Sequence, residues 1–202
     1  MNWTVNYPSG QSITIRWAGA VDIIGRIAQF GQPIPGARAG DQKTIETYAE
    51  ATYLKYRSAR DDFAATATNF RDWSRRRARN QETLALLEAR TSDDQVAGAL
   101  LLRSAWTGDI VVDFVVANKA VTLAANPPIL NIGTMLVAAA LEVGFHTAAP
   151  LIWAETASYS TKWWQLILPS THEFIRFDSV EVSRHRVSQF LTQIGVEFHE
   201  QD

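Results

Sequence analysis

Ile110-Val-Val-Asp-Phe-Val-Val116, Leu130-Asn-Ile-Gly-Thr-Met-Leu136 and Pro150-Leu-Ile-Trp-Ala154 are the stretches that decide the fold. The first and third are short, apolar and rich in residues that favour a pleated backbone, so each reads as a strand. Between them a loop containing Asn126-Pro-Pro128 leads into an apolar segment, Thr134 to Phe145, that reads as a helix. Strand, helix, strand makes a βαβ unit, which expects Leu151–Ala154 beside and parallel to Ile110–Val116, with the helix covering one face. Just upstream, Val96-Ala-Gly-Ala-Leu-Leu-Leu102 is separated from Ile110 by Trp106-Thr-Gly-Asp109, which expects an antiparallel hairpin. The first amides of the helix lack intrahelical acceptors and sit at the positive end of its dipole, so the turn at Gly133 is a candidate anion site without any basic side chain.

Working outward, Ile13-Thr-Ile-Arg-Trp17 alternates after the turn signal Pro8-Ser-Gly10 and reads as a half-buried strand. Val21, Ile24 and Ile27 suggest a helix over Ala20–Gln29, and the Gly- and Pro-rich loop Phe30–Gly36 follows it. From Asp41, the three-and-four spacing of Ile45, Tyr48, Thr52, Tyr53 and Tyr56 predicts a second helix. Phe63, Ala67, Phe70, Trp73 and Ala78 extend helical spacing to Glu88 or Ala89. Beyond Leu151–Ala154 the sequence suggests a helix over Tyr159–Leu166, a strand over Glu173–Phe177, and a last helix with Val187, Phe190, Leu191 and Ile194, stopped by Gly195.

Composition bounds function. The chain has 202 residues, 47% hydrophobic and 20% charged, and a net charge of −2, so it can bury a core and carries no global field for nucleic acid or an anionic membrane. The absence of Cys removes thiolate nucleophiles, disulfides and cysteine-ligated metals. The four histidines lack metal-ligand spacing, and hydrolase elbows and phosphate loops ending in Gly-Lys-Ser/Thr do not occur, so no metal is expected. Neither a signal segment nor a membrane-spanning run is expected, which makes a cytoplasmic location the default.

The segment Ile132-Gly-Thr-Met-Leu136, together with the hairpin, helix, strand and following Trp163-Trp164, resembles the GNAT superfamily of acetyl-CoA-dependent N-acyltransferases. The family's pyrophosphate loop reads Arg or Gln, two residues, Gly, one residue, Gly or Ala. In that register Gly133 takes the second glycine position, Asn131 the first and Pro128 the Arg/Gln position. Asn tolerates the left-handed backbone that such a turn needs, whereas Pro128 offers no donor. The resemblance implies acetyl-CoA as co-substrate, with the pyrophosphate held around Asn131, Ile132, Gly133, Thr134 and Met135. The pantetheine arm would pair with the strand backbone over Phe114 to Ala117, with Phe114, Val115 and Val116 as its contacts. Trp163 and Trp164 stand where the family often has Phe-Tyr, so Trp164 would face the cofactor. An indole is no proton donor near neutral pH, which turns the search for a general acid to Tyr159, Ser158 and Ser160, with Tyr159 ranked first. Asp113, interrupting an apolar strand, and Glu155, just past a strand end, are the candidate bases; Asp113 could instead pair with Arg103 on the neighbouring strand.

The fold expected is α/β: a GNAT-like mixed central sheet flanked by helices, in one domain over residues 1–202. It divides into a mostly helical portion over 1–95, an acyl-CoA-binding core over 96–168, and a C-terminal strand and helix over 169–202. The expected activity is acetyl transfer to an amine on a small molecule or protein, with no membrane partner and with a homodimer compatible. The rival reading is a non-catalytic binding protein that keeps the fold and has lost transfer. A nucleic-acid-associated module would rest on the basic run Arg71–Arg79 alone.

Overall fold

The computed structural model describes residues 1–18, 65–105, 107–155, 163–164, 179–181 and 184–201. The helices expected over 20–29 and from residue 41, the strand expected over 173–177, and Tyr159 lie outside these residues. The described strands are β1 (Asn2–Asn6), β2 (Ser12–Ala18), β3 (Ala65–Ala67), β4 (Thr83–Thr91), β5 (Val96–Ser104), β6 (Ile110–Ala117), β7 (Ile152–Glu155), β8 (Ser179–Glu181) and β9 (Glu197–Gln201). The described helices are α1 (Phe70–Arg77), α2 (Lys119–Thr122), α3 (Ile132–His146) and α4 (Arg184–Gln193). The strands form one mixed sheet in the order β8-β7-β6-β5-β4-β2-β1-β9, with β3 running parallel beside the start of β4.

The hairpin and the βαβ unit stand as the sequence expects: β5 and β6 are antiparallel, and β6 and β7 are parallel neighbours. α3 is apolar nearly all round and is buried from Ile132 to Gly144 except at Gly133 and Glu142, as a helix enclosed by the core must be. It lies close to the sheet because Gly98 has no side chain: a Cβ there would stand 2.5 Å from Ile132 Cγ2 and 2.7 Å from the Val116 carbonyl oxygen. The main core lies on this face, where Trp3, Ile13, Ile15, Leu87, Leu100, Leu102, Ile110 and Val112 meet α3 and Trp73 of α1. Cross-strand register puts Leu84, Leu86, Leu101 and Val111 on the opposite face, where they too are buried.

Two expectations need correction. The helical reading from Phe63 through to Ala89 holds only over α1: Ala65–Ala67 is strand β3, Thr83–Thr91 is the central strand β4, and in the described part of 1–95 strands outnumber helices. Thr83 to Ala89 are all buried, so the strand shows no polar alternation, and its Leu, Ala, Glu and Arg are good helix formers. The polar amino terminus is also a strand, β1, with Trp3 and Val5 buried and their neighbours partly exposed. At the other end, Gly195 stops α4 as expected: its φ is +68°, and the Gly195 and Val196 amides donate to the Thr192 and Leu191 carbonyls.

Candidate functional site

The site is built around an irregularity in β6. Its register against β5 runs Ile110–Val112 opposite Ser104–Leu102, then slips so that Phe114 faces Leu101, leaving Asp113 as the extra residue of a β-bulge. Parallel pairing with β7 stops at the same place, ending with Val112 opposite Ala154. Among the described residues, β6 from Asp113 to Ala117 has no strand partner on its β7 side. Among the described residues the β6–β7 ladder therefore ends at the bulge, leaving an opening along the edge of β6 beyond it.

The bulge also decides which amides face the opening. The Ile110 amide donates to Leu151 O at 3.0 Å, towards β7, and the Asn118 amide donates to Ala97 O at 2.7 Å, towards β5. Antiparallel alternation back from Asn118 turns the amides of Val116 and Phe114 towards β5, and those of Ala117 and Val115 towards the opening. Of the three strand residues expected to contact a cofactor, Val115 offers its backbone; the amides of Phe114 and Val116 belong to the ladder with β5. Ala117, the last residue of the stretch expected to pair with the arm, joins Val115 in turning its amide to that side.

Asp113 is buried, and its carboxylate takes two hydrogen bonds from Arg103, Nε to Oδ2 at 3.0 Å and Nη2 to Oδ1 at 3.1 Å. The pairing offered as the alternative to catalysis is the one observed, and with both oxygens on one guanidinium Asp113 is poorly placed to accept a proton. A second buried carboxylate, Glu88 on β4, is paired with Arg90 at 3.0 Å and was not foreseen. Glu155 ends β7, its backbone paired with Ser179 of β8.

At the end of the opening where β6 stops, α3 begins. Asn131 adopts φ +60° and ψ +23°, the left-handed turn its residue type permits, and its side chain makes no capping hydrogen bond. The Met135 amide donates to Asn131 O at 3.1 Å, and Met135 is fully buried, so this expected ligand belongs to the helix and the core. The amides of Ile132, Gly133 and Thr134 precede the first intrahelical bond and remain as orphan donors. Thr134 is fully buried, with its hydroxyl unpartnered. Gly133 makes room for an indole: a Cβ there would stand 3.1 Å from Trp163 Cζ2. Trp163 and Trp164 meet edge to face with centroids 4.7 Å apart, and Trp164 is part of the core, which makes it a packing residue.

The basic run over residues 71–79 is largely engaged. Asp72 accepts from Arg76 at 2.9 Å and Arg75 at 2.5 Å, which holds its carboxyl below the usual range, and Arg77 turns inward to the carbonyls of Gly108 and Thr147. Among the described residues no cluster of His, Cys, Asp or Glu is arranged to hold a metal ion, and no helix is long and apolar enough to cross a membrane.

No family model matches the chain, and no curated protein matches it. Among solved structures, an acetyltransferase of the GNAT family from Listeria monocytogenes is similar at a TM-score of 0.48 and 10% identity, over 89% of this chain and 99% of that one. A likeness of that depth carries no weight for chemistry.

Proposed function

We propose that this protein is an acetyl-CoA-dependent N-acetyltransferase with a GNAT-like core. The observation that carries the reading is the end of the described β6–β7 ladder at the Asp113 bulge, next to a helix start whose amides have no side-chain cap. An open strand edge suits the amide-bearing pantetheine arm, and orphan helix amides suit its pyrophosphate, so the residues present fit the group.

Acetyl-CoA would supply the activated acetyl group. The amides of Ile132, Gly133 and Thr134 bind the pyrophosphate, Val115 and Ala117 hold the arm against β6, and the Val115 amide polarises the thioester carbonyl. Glu155, at the carboxyl end of β7 across the opening, accepts the proton of the attacking amine, and Tyr159 donates one to the departing thiolate. Asp113 and Arg103 act as positioning residues that fix the bulge. Positioning and fixed dipoles supply most of the acceleration in such a site.

The test is isothermal titration with acetyl-CoA and with CoA. Saturable binding of about micromolar affinity is expected; no heat from well-folded protein would end the reading. The second reading, a non-catalytic binding protein that keeps the fold and has lost transfer, is favoured by Pro128 and by the engagement of Asp113 with Arg103. Well-folded protein that acetylates nothing across a panel of small amines and lysine peptides would select it.

A further inference from the structure

We infer that the turn between β1 and β2 sets the anion-binding loop, with Tyr7 and Gln11 as its positioning residues; this rests on the proposed CoA site. Tyr7 Oη donates to Leu130 O at 2.9 Å, and Gln11 Nε2 donates to Pro127 O at 2.6 Å, across more than a hundred residues of sequence. The two contacts grip the loop at both ends of Pro127–Leu130, the four residues before Asn131.

The grip reaches the donors through peptide geometry. In a trans peptide the carbonyl of one residue and the amide of the next point in opposite directions. Holding Leu130 C=O towards Tyr7 therefore turns the Asn131 N–H away from the hairpin and fixes the plane from which the left-handed Asn131 delivers the chain into α3. Between the two grips the Ile129 amide donates to Thr122 O at 2.9 Å and Pro128 offers no N–H, so the Pro127 and Leu130 carbonyls are the points that the hairpin holds. The hairpin turn is itself rigid: the Tyr7 amide donates to Gln11 O and the Gly10 amide to Tyr7 O, both at 2.9 Å, and Gly10 takes φ +81°. Pro8 lies against the turn at Gly195 that ends α4, with its Cγ 3.4 Å from where a Cβ at Gly195 would stand. Burial raises the Tyr7 phenol above its ordinary range, so it remains a donor at any physiological pH. The family loop places an Arg or Gln where this chain has Pro128; here two carbonyls of the loop are held by side chains from another part of the chain.

The experiment compares wild type, Tyr7→Phe and Gln11→Ala by titration with CoA and with acetyl-pantetheine, which lacks the pyrophosphate, beside amide hydrogen exchange of residues 129–135 without ligand. Loss of one hydrogen bond predicts CoA affinity lowered about fivefold to tenfold in Tyr7→Phe, acetyl-pantetheine affinity unchanged, and faster exchange confined to the loop. Equal weakening of both ligands, or unaltered CoA affinity and unaltered exchange, overturns the inference. Absence of CoA binding by wild type instead overturns the cofactor reading and takes the inference with it.

Discussion

Asp113 shows how one side chain can be read two ways until its partner is known. Buried in a bulge and held by both Arg103 nitrogens, it is a structural charge. Removing one member of a buried pair leaves the other uncompensated, so Asp113→Asn should cost about 3–5 kcal/mol, whereas replacing both partners by apolar residues is often close to neutral. Urea unfolding of Asp113→Asn and of the Asp113→Leu/Arg103→Met double variant separates the cases: the single change should move the midpoint far more than the double one. Arg77 has a comparable role, because its guanidinium joins the β5–β6 turn at Gly108 to the end of α3 at Thr147. Arg77→Leu should lower stability by roughly 2–4 kcal/mol, since it strands two carbonyls that lose charged donors.

At the scale of elements, the phase of β6 is the feature on which function depends. Proline in place of a residue whose amide faces the opening removes a donor from the site alone, while proline one position later removes a ladder bond. Val115→Pro should stay folded by circular dichroism and bind acetyl-CoA about fivefold to tenfold more weakly; Val116→Pro should lose its cooperative thermal transition. Which strands the sequence reveals follows the same physics. The β5–β6 hairpin, α3 and β7 were legible because β-branched runs and a long apolar helix follow one another between clear turns. β4 was not, because burial of Thr83 to Ala89 erases alternation and its residues favour helices. β1 is five residues long and polar at both ends. The bulge left no mark beyond Asp113 itself, which is why Val115 and Ala117 could not be told from Phe114 and Val116. Asn131 was legible from its residue type. Tyr7 was not, because its partner Leu130 lies 123 residues away.

At the scale of the whole molecule, the two ends of the chain close the sheet. β9 pairs antiparallel with β1, Phe198 stacks on Trp3 with centroids 6.5 Å apart, and Glu200 reaches His146 at the end of α3 at 2.8 Å. Ending the chain at Val196 would bare the edge of β1 and uncover Trp3. Loss of the half-buried Phe198 alone, about 1–1.5 kcal/mol, predicts a Tm lower by roughly 2–6 °C, and light scattering should report self-association through the freed edge. The same closure sets the β1–β2 turn against the entrance to α3, so the chain's start bears on the proposed cofactor site from outside the βαβ unit. If the opening of β6 and the start of α3 form one binding site, backbone-amide NMR during titration with acetyl-CoA should show saturating shifts at Val115 and Ala117 together with Ile132, Gly133 and Thr134, all with one Kd. Shifts confined to other parts of the sheet, or none at all, would show that they do not.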